Sequence, residues 1–151
     1  MPTVRCGDGS RQAWFSPDFL TTSDERPQRN IRVTLSYDGS EFAGFQAQDK
    51  TRARTVQDEV EAALQKLHGG VFARIEGSGR TDQGVHALGQ VISFRSSRPW
   101  AENELARALN GVLPRDIRAL RSSEADSSFH ARRSAISKHY RYLLDVGETQ
   151  H

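Results

Sequence analysis

Eleven consecutive residues, Gly77-Ser78-Gly79-Arg80-Thr81-Asp82-Gln83-Gly84-Val85-His86-Ala87, place one guanidinium, one carboxylate and one imidazole among three glycines. Glycines at this density permit turns and close approaches that a Cβ forbids. A lone Asp82 beside Arg80 points to a carboxylate held ready for chemistry, because an opposite charge within about 4–6 Å keeps a carboxylate ionised in a desolvated pocket. Two phosphate-loop readings fail. A Walker A loop requires Gly five positions before Gly79, where Arg74 stands, and Lys where Arg80 stands. The dinucleotide fingerprint requires a third glycine where Asp82 stands, and a carboxylate there repels a pyrophosphate. Taken in isolation, the segment also reads as an ordinary hairpin turn with a solvated Asp.

Elements on either side must position this loop. Alternating apolar and β-branched residues predict a strand over 31–37, ended by the turn formers Asp38-Gly39-Ser40, with a loop running on through Gln48-Asp49-Lys50. Thr55 is a good N-cap for a helix over 56–67, with Asp58 and Glu59 in its first turn. Val56, Val60, Ala63, Leu64 and Leu67 fall on one face of that helix, which is core rather than site, and Gly69-Gly70 ends it. Strands are expected over 71–75 and 90–94, flanking the glycine-rich loop. A second helix is expected over about 102–112, stopped by Pro114, then a strand around 117–120 and a last one over 140–144. The alternation predicts an α+β fold, an antiparallel sheet with helices on one face, of ferredoxin-like or RNA-recognition-motif-like (RRM-like) topology.

At 151 residues the length fits one domain with an ordinary core. With 36% hydrophobic residues and no apolar run near the roughly 20 that span a bilayer, no membrane segment is expected. Residues 1–29 read as a flexible leader, polar and broken by Pro2, Pro17 and Pro27, with Trp14 and Phe15 as candidate anchors and no secretory h-region. The single Cys6 cannot form an internal disulfide, which fits a cytoplasmic setting. Net charge is +2, unevenly spread. Residues 1–76 hold ten Lys/Arg against eleven Asp/Glu, whereas residues 77–142 hold eleven against six. His130, Arg132, Arg133, Lys138, His139 and Arg141 occur without an intervening acid, beside Phe129, Tyr140 and Tyr142. Such a run reads either as a solvated face or as a surface that tracks phosphates and stacks bases.

Four separated blocks resemble, in order, the TruA family of tRNA pseudouridine synthases. The loop matches its G-R-T-D-x-G-V-H-A pattern. Tyr37-Asp38-Gly39-Ser40-Glu41-Phe42-Ala43-Gly44-Phe45-Gln46-Ala47-Gln48 is similar to Y-D-G-x-x-F-x-G-W-Q-x-Q, with Phe45 in place of Trp. Asn110-Gly111-Val112-Leu113-Pro114-Arg115-Asp116-Ile117 is similar to the end of A-L-N-x-x-L-P-x-D-I. Phe129-His130-Ala131-Arg132 and Lys138-His139-Tyr140-Arg141-Tyr142 resemble F-x-A-R and K-x-Y-x-Y. The resemblance covers roughly residues 31–145.

The resemblance implies half of a pseudouridine synthase fold over 30–151 and isomerisation of uridine to pseudouridine in the tRNA anticodon arm. Uracil leaves C1′, rotates, and rejoins through C5, with no metal or organic cofactor. It implies Asp82 as the essential carboxylate, Arg80 as its partner that also holds the target base out of its stack, and Tyr140 as the ring that stacks on uracil. Whether Asp82 attacks C1′, attacks C6 or removes a ribose proton stays open. RNA contacts are expected from Arg132, Arg133, Lys138, His139, Arg141, His86 and Gln46. Family members pair as homodimers and carry a second, similar half, so the chain is expected to be an N-terminal half. The alternative is a non-catalytic RNA-binding half-domain.

Overall fold

The computed structural model of the chain describes residues 27–47, 53–144 and 147. Its elements are β1 (Arg29–Tyr37), α1 (Val56–Leu67), β2 (Glu76–Gly77), β3 (Ala87–Ser96), α2 (Glu104–Asn110) and β4 (Ile117–Ala125). The four strands form one antiparallel sheet in the order β2-β3-β1-β4. A βαββαβ chain in that order is the ferredoxin-like α+β arrangement the alternation predicted. Most of the proposed leader, including Cys6, Trp14 and Phe15, lies outside the described residues, as do Gln48-Asp49-Lys50 and much of the tail.

Alternation along β1 drives the layering. Ile31, Val33 and Leu35 point inward, with Phe94 and Ile92 of β3 opposite the first two. Val56, Val60 and Leu64 of α1 and Leu105 and Leu109 of α2 cover that face, and each is essentially fully buried. Burying one such side chain contributes about 1.5–3 kcal/mol, so the helical face is core as its spacing predicted. The opposite face is polar. There the Ser93 hydroxyl accepts the Ala131 N–H at 3.1 Å, and the Arg32 guanidinium lies 5.8 Å from the Phe129 ring centre.

Helix α1 matches its expected bounds. The Thr55 hydroxyl accepts the Asp58 N–H at 3.2 Å, and Gly70 N–H closes on the Gln65 carbonyl at 2.8 Å. Three expectations are corrected. The strand over 71–75 does not form, and only Glu76 and Gly77 pair with β3. The reason is a contact from α1: Ile75 N–H donates to the buried Glu61 carboxylate at 3.0 Å rather than to a ladder partner, and Val71 and Phe72 are exposed. The second helix is shorter than 102–112. Asn103 sits in the left-handed region (φ 58°), where its N–H donates to the Ser122 carbonyl (2.8 Å) and its side chain accepts the Ser122 N–H (3.1 Å). Residues 140–144 form no strand, and their Tyr140, Tyr142, Leu143 and Leu144 are exposed. Their alternation meets no sheet edge among the described residues.

Asn110, the first residue of the N-x-x-L-P block, has a structural duty. Its side chain donates to the Ala119 carbonyl and accepts the Ala119 N–H, both at 2.8 Å, imitating a strand partner for β4. Asn110→Ala removes both bonds. It is expected to cost about 1–3 kcal/mol in urea unfolding, and an unchanged midpoint would refute that role.

Candidate active site

The glycine-rich loop is pinned through its backbone. At the end of β1, the buried Tyr37 hydroxyl shares a 2.8 Å hydrogen bond with Thr81 Oγ1. The Thr81 carbonyl accepts the Phe45 N–H at 2.9 Å, and Gly84 N–H donates to the Phe42 carbonyl at 3.3 Å. Both anchors come from the Y-D-G-x-x-F-x-G-W-Q-x-Q-like block, so that block is the bed on which the loop lies. Its two glycines make the bed flat. A Cβ on Gly39 would sit 2.1 Å from the Val85 carbonyl oxygen. One on Gly44, whose φ of +117° already excludes most side chains, would sit 2.8 Å from the Thr81 carbonyl oxygen.

Asp82 occupies the exposed crest between these anchors, where its carbonyl closes a turn with Val85 N–H at 3.2 Å. Its carboxylate makes no hydrogen bond or ion pair among the described residues, and neither does the Arg80 guanidinium. The Arg80–Asp82 pair implied by the family is therefore not formed here. Arg80 instead lines a cleft of about 290 Å³ with Gln46, Arg74, Arg132 and Lys138, over the Phe45 ring. Four cations face one carboxylate there, Glu76, so the cleft suits an anion. Lys138 reaches across to the loop's first arm, its Nζ 3.8 Å from where a Gly79 Cβ would lie. Phe45 takes the place of the family's Trp as a buried ring wedged against Gly77.

The other expected residues are dispersed. Arg133 lines a neighbouring cleft. His86 Nδ1 lies 3.2 Å from the Gly39 N–H and 3.1 Å from an Asp38 carboxylate oxygen. It accepts from Gly39 when that nitrogen is bare and pairs with Asp38 only when it carries a proton. Hydrogen bonds from the Ser40 hydroxyl and N–H hold the Asp38 carboxyl below its ordinary value, with a smaller contribution from His86. Tyr140, His139 and Arg141 are exposed and line neither cleft, so the chain does not gather Tyr140 beside Asp82. No group of three or more His, Cys, Asp or Glu among the described residues could hold a metal ion. No helix among them is long and apolar enough to cross a membrane.

Sequence reasoning missed the supports. Arg54 forks onto Asp116 at 2.6 and 3.2 Å, bonds Glu59 at 2.6 Å, and stacks 4.2 Å from the Phe42 ring centre. The bonds to Asp116, ahead of those to Glu59, push its guanidinium further above its ordinary value and keep it charged. Gln57 and Glu61 form a buried relay. Glu61 accepts the Gln57 amide at 2.8 Å, and Gln57 accepts the Ala47 N–H at 3.1 Å, fixing the wall that carries Gln46. The i, i+4 spacing of Gln57 and Glu61 on an otherwise apolar helix face was the available signal.

Burial pushes the Tyr37 phenol above its ordinary value, against a smaller opposing effect of the Thr81 bond. The folded chain thus holds that proton more tightly than the unfolded one. This contribution to stability is fully present below the unfolded pKa of 10.0 and is lost as pH rises toward the folded value. Tyr37→Phe is expected to flatten the alkaline fall in unfolding free energy, measured by urea titration between neutral and strongly alkaline pH. An identical slope in the variant would refute it.

The family described as tRNA pseudouridine synthase matches residues 34–132. A "tRNA pseudouridine synthase A" from Latilactobacillus sakei is 48% identical over 119 residues, which are 79% of this chain and 47% of the relative. One from Bacillus pumilus is 50% identical over 117 residues, 77% and 47% of the two chains. One from Roseiflexus is 46% identical over 121 residues, 80% and 44%. The chain spans about half the length of the curated relatives it matches.

Proposed function

The chain belongs to the tRNA pseudouridine synthase family, and from that premise we infer that it carries the catalytic loop of an enzyme that isomerises uridine to pseudouridine in the tRNA anticodon arm. The reaction breaks the N1–C1′ bond, forms a C5–C1′ bond, releases the C5 proton and leaves a proton on N1. It is internally balanced and needs no co-reactant. Asp82 is the reacting carboxylate, whichever of its three possible targets it takes. Arg80 holds the flipped nucleotide, and Arg132, Lys138 and Gln46 bind its strand. Flipping costs a few kcal/mol, and a cleft rich in cations that keep no carboxylate partner offsets it through phosphate contacts. The enzyme acts in the cytoplasm, as a homodimer in its full-length form, and Tyr140 stacks on the uracil there.

One observation supports this reading above the others: a loop fixed at Thr81 and Gly84 presents an unpaired Asp82 two residues from the cationic cleft wall. Because the chain spans about half of its relatives, a non-catalytic RNA-binding half is the second reading. Tritium release from tRNA labelled at uridine C5 decides between them. Release, with pseudouridine in the digested product, supports the enzyme. Binding of tRNA without release supports the binding half.

A further inference from the structure

Beside the catalytic cleft lies a second one, of about 250 Å³, between the polar face of β3 and the segment that follows β4. It is a built feature. The buried Asn30 amide donates to the carbonyls of Asp126 (2.8 Å) and Phe129 (2.6 Å). Ala131 N–H docks on Ser93, and Arg95 Nη2 donates to the Ser127 carbonyl at 2.7 Å. Into this cleft face Arg74, Arg95, Arg133 and His130, opposed by the single carboxylate of Glu76. Arg74 and Arg133 make no ion pair among the described residues, and Arg95 has only one of its donors engaged.

Arg74 and Glu76 line both clefts, so the two adjoin across these residues. Unpaired guanidiniums brought onto one surface repel each other until an anion arrives, and their forked donors match phosphate oxygens. We propose that the second cleft is a backbone-phosphate subsite for the RNA strand leaving the catalytic cleft, with Arg133 and Arg95 as its clamp. Glu76, at the junction, repels phosphate, so the strand's phosphates lie to either side of it. The proposal rests on the tRNA reading above and adds a site to it.

The test is equilibrium binding of an unmodified tRNA transcript across a salt series, using the whole chain. Arg133→Ala is the main variant, since its side chain holds no bond that folding needs. Arg95→Ala is the second, and Arg107→Ala, on the exposed side of α2, is the control. Arg133→Ala is expected to weaken binding about 3- to 10-fold and to make the salt slope shallower by about one, while the control changes neither. Parent-like affinity and slope in both cleft variants would overturn the subsite alone, with the parent still binding tRNA and releasing tritium. Failure of the parent to bind tRNA would overturn the subsite together with the functional reading. Inorganic phosphate is the separate probe. If the variants lose phosphate binding but keep parent-like RNA binding, the cleft belongs to free phosphate and the strand proposal falls.

Discussion

Asp82→Asn is expected to reduce tritium release by at least about 10³-fold while leaving the fold intact. The amide keeps the size and shape of the carboxylate but can neither attack carbon nor accept a proton, whichever route the reaction takes. That loss corresponds to about 4 kcal/mol of barrier. Preservation of the fold follows from what the carboxylate does not do: it holds no hydrogen bond or ion pair among the described residues. The loop is kept in place by Thr81 and Gly84, through Tyr37, Phe45 and Phe42. Urea unfolding of the variant is therefore expected within about 0.5 kcal/mol of the parent, the usual range for an exposed substitution. Release of tritium at the parent rate by Asp82→Asn would remove Asp82 from the chemistry. A large drop in stability would mean that its carboxylate has a structural partner.

Gly39→Ala is expected to damage the same site from outside it. The new Cβ would meet the Val85 carbonyl oxygen at 2.1 Å, its carbon at 2.4 Å and the Val85 nitrogen at 2.9 Å. All three are backbone atoms, so no side chain can rotate away, and either β1's end or the loop must move. Overpacking of this kind costs about 1–3 kcal/mol or more. A shift of about 1 Å at a reacting group lowers a rate by around 10²-fold. Both effects should appear together, as a lower urea midpoint and a lower turnover at saturating tRNA. Gly89→Ala is the matched control, because a Cβ there meets nothing within 4 Å and its φ is ordinary. If Gly39→Ala behaves like Gly89→Ala, the loop does not lie against the end of β1.

The amino-acid sequence by itself determined the layers and marked the loop on which the proposed chemistry rests. Alternation at Ile31, Val33 and Leu35 and the 3.6-residue spacing from Val56 to Leu64 specify a strand and a helix that must bury one face each, so the layering follows from local pattern. The dense glycines around Arg80 and Asp82 marked the loop, because few backbones need that composition. What pattern could not reach was decided by contacts between residues far apart in the chain. The 71–75 segment has strand propensity, yet Glu61 on α1 takes the Ile75 N–H and the ladder stops at Glu76. Tyr140 and Tyr142 alternate like strand residues, yet no sheet edge among the described residues meets them. A carboxylate and a guanidinium two positions apart read as a pair, but in the fold Arg80 turns to the cleft with Lys138 and Arg132 while Asp82 stands on the crest. Local propensity sets which backbone shapes are cheap. Which donor meets which acceptor depends on the packed sheet, and only the tertiary structure could show that Gly39 and Gly44 are glycines because the glycine-rich loop lies against them.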